Sequence, residues 1–289
     1  MKKILMVVLA SLLVISGLAF ARGDQEARKV LVVIFDGTQW DKIETLYTSG
    51  STPNLARVGS LHHLTTNQDC FGSGASYQCM STETRPQHAT MLTGCLADVH
   101  GTFDNSVFKF IPDGLTVYEQ IEAHDASIKT AHLVSKRRQI GMTLFGNITT
   151  DVDVFYASKV KPKLIADLAI SQIHRWWNGD FFIVAHFRIP DVIGHRHGIN
   201  SKQYLQAIIK NDVQLGRLLQ ALEQHGIRDE TQIYVLSDHG FGYPRPFDHN
   251  NSPNTFIVSN DPVVTDLMME DVAGILLANF GIQPPDCGQ

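Results

Sequence analysis

Lys29-Val-Leu-Val-Val-Ile-Phe35, followed at once by Asp36-Gly37, is the stretch on which the fold turns. Its apolar run leaves no polar face, so it reads as a strand covered on both sides, the habit of a parallel sheet. Working outward, strand-like runs recur at 129–134, 181–185, 232–236 and 255–258. Helical patterning lies between them, at 115–123, 162–177, 202–225 and 264–280, and Thr52-Pro53 opens a further helix with Pro in its first turn. Within 202–225, Tyr204, Ile208, Leu215, Leu218, Leu219 and Leu222 mark one face. This alternation predicts an α/β sandwich: a mainly parallel central sheet with helices on both faces. No Pro-, Gly- or Ser-rich linker interrupts it, which predicts one domain over 22–289.

The chain has 289 residues, 44% of them hydrophobic and 18% charged, with a formal net charge of −5. That composition excludes global disorder, and the acidic balance argues against a nucleic-acid partner. Met1-Lys2-Lys3, the apolar run 4–20 and Ala19-Phe20-Ala21 form the three parts of a secretory signal peptide. The expectation is cleavage after Ala21 and export to the periplasm or beyond, with no stable membrane insertion afterwards. An uncleaved anchor is the competing reading, because the run approaches the roughly 20 residues that span a bilayer. Export permits disulfides. Cys70 and Cys79 flank a Gly- and Ser-rich stretch and are read as a closed loop; the pairing of Cys95 with Cys287 stays open.

Asp and His residues sit where the strands end. Asp36 follows the first run, Asp191 and His195 follow 181–185, and Asp238-His239 follow 232–236. Sites in open parallel sheets form beyond the carboxyl ends of the strands, so these side chains are expected to converge on one edge. His249 lies close enough in sequence to join them. Three carboxylates and three imidazoles divide into two Asp/His sets of a kind that suits zinc. Taken singly, each is more simply a turn Asp or a hydrogen-bonded His. Thr84-Arg85-Pro86 opens another helix, running to about Gly94. Thr84 then stands at a helix N-terminus, either as an N-cap or as a nucleophile activated by a metal.

Together these motifs carry a resemblance. Asp36, Thr84-x-Pro86-x-His88 before Thr93-Gly94, His100-Gly101-x-x-x-Asn105, Asp191-x-x-x-His195 and Asp238-His239-Gly240 occur in the order of the alkaline phosphatase superfamily. The sequence resembles its phosphodiesterase/nucleotide pyrophosphatase branch and the related threonine-dependent alkaline phosphatases. The resemblance implies a two-zinc site bridged by a threonine nucleophile. Asp36, Asp238 and His239 correspond to the ligands of one metal, and Asp191, His195 and His249 to those of the other, with His197 a nearby competitor for the last place. Thr84 corresponds to the nucleophile, and Asn105 to a donor on a phosphoryl oxygen.

Two departures shape the expectation. Nine residues separate the Asp238-His239 pair from His249, where the family often carries a large insertion, so no cap is expected. A sulfatase would need Cys or Ser at position 84, with Arg where His88 stands. Lys136-Arg137-Arg138 resembles the Lys-x-Arg element of threonine-dependent monoesterases, which makes Lys136 and Arg138 candidates to bind phosphoryl oxygens; a solvated basic turn is the alternative. Arg85 faces either a leaving group or solvent. The expected function is an exported two-metal phosphomonoesterase acting on a small phosphate ester. The alternatives are a phosphodiesterase or nucleotide pyrophosphatase with the same site, and a non-catalytic binding protein on the same fold.

Overall fold

The first run forms strand β1 (Lys29–Phe35), and its side chains alternate between two cores. Val30, Val32 and Ile34 enter one, Leu31, Val33 and Phe35 the other, and all six are fully buried. Each such side chain stabilises the fold by about 1.5–3 kcal/mol relative to exposure, so a polar residue in this run would be expensive. The structure, a computed structural model, describes residues 28–73, 77–106, 110–136, 152–242, 249 and 252–287.

Eight strands make the central sheet. In chain order the strands are β1, β2 (Ser60–Thr65), β3 (Cys70–Phe71), β4 (Gln78–Cys79), β5 (Lys129–Val134), β6 (Val154–Ala157), β7 (Phe181–Phe187), β8 (Thr231–Leu236), β9 (Asn254–Ser259) and β10 (Leu267–Met268). Across the sheet they lie in the order β10-β2-β9-β8-β1-β7-β5-β6, with β3 and β4 forming a separate hairpin. The block from β8 to β6 is parallel, and β9 runs antiparallel to both its neighbours. This is the mainly parallel sheet expected from the sequence.

The helices are α1 (Trp40–Thr48), α2 (Pro53–Val58), α3 (Thr84–Thr93), α4 (Ala97–His100), α5 (Val117–His124), α6 (Pro162–Trp176), α7 (Ile189–His197), α8 (Lys202–Gln224) and α9 (Asp271–Ala278). Residues of α1, α2, α6 and α8 share a core with one face of the sheet, and residues of α3, α5 and α9 with the other. The apolar stripe of α8 is buried as its periodicity predicts, from Tyr204 to Leu222.

Some boundaries move for identifiable reasons. Residues 264–280 do not form one helix: Leu267–Met268 pairs with β2 at the sheet edge, and α9 starts only at Asp271. Leu115 stays outside α5 because Thr116 and Glu119 form a capping box that starts the helix at Val117. Asp191 and His195, which follow β7, lie on α7 one turn apart. Both disulfides are present, Cys70–Cys79 closing the hairpin and Cys95–Cys287 tying the chain's end to the residue after the Gly94 cap of α3. Among the described residues, no helix is long and apolar enough to cross a membrane.

Candidate metal centre and nucleophile

Three neighbouring parallel strands, β8, β1 and β7, deliver the acidic residues to one edge of the sheet. Asp36 leaves β1, Asp238 follows β8, and Asp191 sits in the first turn of α7 after β7. Gly37 makes this convergence fit. Its φ is +67°, and a Cβ there would stand 2.7 Å from Cβ and 2.8 Å from Cα of Asp191, so only glycine allows the approach. The Asp191 N–H donates to the Asp36 carbonyl at 3.0 Å, and the Gly37 N–H donates to Asp238 Oδ1 at 3.1 Å. Tyr204 from α8 locks the same turn, donating through its hydroxyl to the Gly37 carbonyl at 2.6 Å.

The sequence candidates assemble into two groups, Asp36–Asp238–His239 and Asp191–His195–His249. In each, the three ligand atoms lie within 4.8 Å of one another. His249 joins Asp191 and His195, whereas His197 is exposed on α7 and outside both groups. The Thr82 hydroxyl fixes the backbone at His249 by donating to the His249 carbonyl.

The chemistry of these groups suits cations. Three buried carboxylate oxygens, Asp36 Oδ1, Asp238 Oδ2 and Asp191 Oδ1, accept no well-aligned hydrogen bond among the described residues, with His88 Nε2 standing 3.3 Å from Asp238 Oδ2. Asp36 Oδ1 and Asp238 Oδ2 each lie 3.5 Å from His239 Nε2, and Asp191 Oδ1 lies 3.2 Å from His195 Nε2. Unpaired buried oxygens of this kind are costly unless a cation takes them. The His239 Nδ1–H donates to the Gly240 carbonyl at 2.9 Å, which turns the Nε2 lone pair toward the carboxylates. Burial, followed by the His239 and His195 neighbours among other charges, pushes His249 down to about 2, so its imidazole is neutral and fit to ligate. Burial, then the nearby Asp238 carboxylate, pushes Asp36 up to about 8 despite Lys136. Burial also opposes charge on Asp191, but Lys136 and then His195 outweigh it and hold that carboxyl well below its usual range.

Thr84 is the first residue of α3 and is fully buried, with its Oγ1 3.1 Å from His239 Nε2. Lys136, only 8% exposed, donates to Thr84 Oγ1 at 3.1 Å and reaches Asp36 Oδ2 and Asp191 Oδ2 at 2.7 Å each. It is not a solvated turn residue. Its ammonium joins the two groups through the carboxylate oxygens that face away from the unpaired ones. Burial alone would discharge it, but Asp191 and Asp36 outweigh that and hold it above the ordinary lysine range. Arg137 and Arg138 lie outside the described residues.

Asn105 stands at the same helix end. Its Oδ1 accepts from the Arg85 N–H at 3.0 Å. Its own N–H donates to Glu83 Oε2 at 2.6 Å, and the Arg85 guanidinium donates to its carbonyl. Arg85 therefore braces Asn105. Sequence reading left its direction open and missed Glu83. It also missed His186, whose one signal was a histidine inside the otherwise apolar run Phe181–Phe187.

The profile of the type I phosphodiesterase / nucleotide pyrophosphatase family matches residues 30–285, nearly the whole described chain. The chain belongs to this family. A mouse relative, a bis(5'-adenosyl)-triphosphatase, is 24% identical over 238 residues, covering 75% of this chain and 48% of its own. The chain thus spans about half the length of the curated relatives it matches. Among solved structures, human ectonucleotide pyrophosphatase/phosphodiesterase 5 superposes with a TM-score of 0.62 at 13% identity, over 89% of this chain and 96% of that one. The alkaline phosphatase of the Antarctic bacterium TAB5 gives 0.59 at 14%, over 89% and 98%. At such identities the likeness is one of fold, and it is the alkaline phosphatase-like fold expected from the sequence.

Proposed function

We propose that this family member is an exported phosphoric ester hydrolase with two zinc ions, and that it hydrolyses phosphomonoesters through a phosphothreonine at Thr84. The observation that carries the reading is the placement of Thr84. Its hydroxyl lies within 3.1 Å of both a member of the first Asp/His group and the Lys136 ammonium, at the start of a buried helix. Asp36, Asp238 and His239 would hold one ion, and Asp191, His195 and His249 the other. Bound there, the pair would supply Lewis acidity for the attacking and leaving oxygens.

The chain's own groups do the rest. Thr84 Oγ1 gives up its proton and attacks phosphorus as the bond to the ester oxygen breaks, and the leaving group takes up a proton and departs as the alcohol. Water then cleaves the phosphothreonine, returning the hydroxyl and releasing phosphate. The Asn105 amide and the Lys136 ammonium stabilise charge on the equatorial oxygens, where phosphoryl transfer gains most. Arg138 is proposed to join them, from its resemblance to the Lys-x-Arg element. Export is supported by two disulfides, which need an oxidising compartment.

A diesterase or nucleotide pyrophosphatase is the second reading, favoured by the family and by the named relatives. The test compares zinc-loaded wild type and Thr84→Ala on an aryl phosphate monoester and a diester. Thr84→Ala is expected to keep its metal and lose most turnover on both. Faster wild-type cleavage of the diester would select the second reading, and an active Thr84→Ala variant would remove the covalent route.

A further inference from the structure

His186 interrupts the apolar run of β7 one residue before its end, on the face where Phe182 and Val184 enter the core, and it is fully buried. Its ring is not idle there. Nε2 lies 2.9 Å from Asp36 Oδ2, while Nδ1 faces Ser135 Oγ at 3.3 Å. That hydroxyl is itself fixed. It accepts from the Arg188 N–H at 2.9 Å, and its one proton is shared between the His186 carbonyl at 2.8 Å and Nδ1, which assigns the ring's N–H to Nε2, facing Asp36. The register of the parallel strands supports the contact, because His186 pairs with Ile34 of β1, two residues before Asp36.

The result is an asymmetric carboxylate. Asp36 Oδ2 is taken by His186 and by Lys136, whereas Oδ1 has no hydrogen-bond partner among the described residues and faces His239. Two donors on one oxygen fix the torsion of the side chain and leave the other oxygen as the single free ligand atom. A buried histidine that merely filled the core would need no carboxylate, and a leucine would fill this face at no polar cost.

We infer that His186 is a positioning residue: it holds Asp36 so that one oxygen, Oδ1, is presented to the first metal. This rests on the reading of Asp36 as a metal ligand. Partners of this kind, donating to a ligand from behind, typically contribute 10- to 100-fold in metal affinity.

Three variants of the full chain test it, with zinc affinity measured by chelator competition and the cobalt-substituted protein followed by its visible spectrum. In His186→Gln the amide nitrogen can reach the place of Nε2 and donate to Asp36. In His186→Asn the amide reaches only the place of Nδ1, and in His186→Leu no donor remains. Affinity at one of the two sites is expected to fall 10- to 100-fold in the Asn and Leu variants, with a changed cobalt band, and to stay within a few-fold of wild type in the Gln variant. Circular dichroism and melting identify a variant that fails to fold; if Leu does, the Gln and Asn pair decides. Equal affinities in wild type, Gln and Asn, or equal losses in Gln and Asn, would overturn the inference. Wild type that binds no metal would instead overturn the functional reading on which it rests.

Discussion

Replacing Lys136 with methionine keeps the length of the side chain and removes its charge. An ammonium has three N–H groups, and here each has a taker: Asp36 Oδ2 and Asp191 Oδ2 at 2.7 Å and Thr84 Oγ1 at 3.1 Å. The two short contacts tie the metal groups together, so the variant is expected to bind metal more weakly, and kinetics must be compared at saturating zinc. The third and longest contact is the one chemistry can exchange. Once Thr84 bonds to phosphorus, that N–H can turn to a phosphoryl oxygen. A charge-assisted hydrogen bond contributes about 1.5–3 kcal/mol, which is about 10- to 150-fold in rate if it is made only in the transition state. A monoester presents one more anionic oxygen than a diester, so the loss in kcat/KM is expected to fall on aryl phosphate monoesters far more than on diesters. Equal losses on both at saturating metal would refute the phosphoryl role and leave Lys136 as a strut between the two groups. No loss on either would refute both.

Metal loading at pH 7 is expected to release up to one proton, because the Asp36 carboxyl, pushed up to about 8, holds its proton until a cation takes the oxygen. Calorimetry in buffers of different ionisation enthalpy counts that proton, and a count near zero would contradict the assignment. A carboxyl raised in the folded state favours that state only while protonated. The metal-free chain should therefore lose stability as pH rises from about 4 toward 8. Gly37→Ala is expected to lose metal or fold poorly, since its Cβ would meet the Asp191 backbone at 2.8 Å from a left-handed φ; normal zinc content in a stable variant would refute the packing argument. Replacing Cys95 and Cys287 with serine opens a tether across 192 residues, for which chain entropy predicts a loss of at most ~5 kcal/mol. Denaturant unfolding measures it, and metal content should be unchanged.

The sequence was most legible where one physical constraint acts on many neighbouring residues. A run such as Val30–Phe35 has to be apolar throughout because it is covered on both faces, and three such strands side by side must bring the residues that follow them to one edge. The Asp and His residues could be found there because the sheet puts them together, whatever the loops do. Local boundaries were harder, because they depend on partners far along the chain. Residues 267–268 carry no signal that they will pair with β2, and Leu115 looks as helical as the residues after Thr116 until the capping box is seen. The groups that orient the ligands were the least legible. Arg85 and Glu83 brace Asn105 from a helix end, and Lys136 bridges carboxylates from two different elements. Each is an ordinary charged residue in sequence, and its role exists only through a partner 20 or more positions away. His186 differs in one respect. A polar ring in a strand otherwise apolar from Phe181 to Phe187 breaks the pattern that makes the strand, and desolvation makes such a break costly unless the ring has a partner. The partner is Asp36, at the end of the adjacent strand, so the misfit in the core pattern points directly at the metal group.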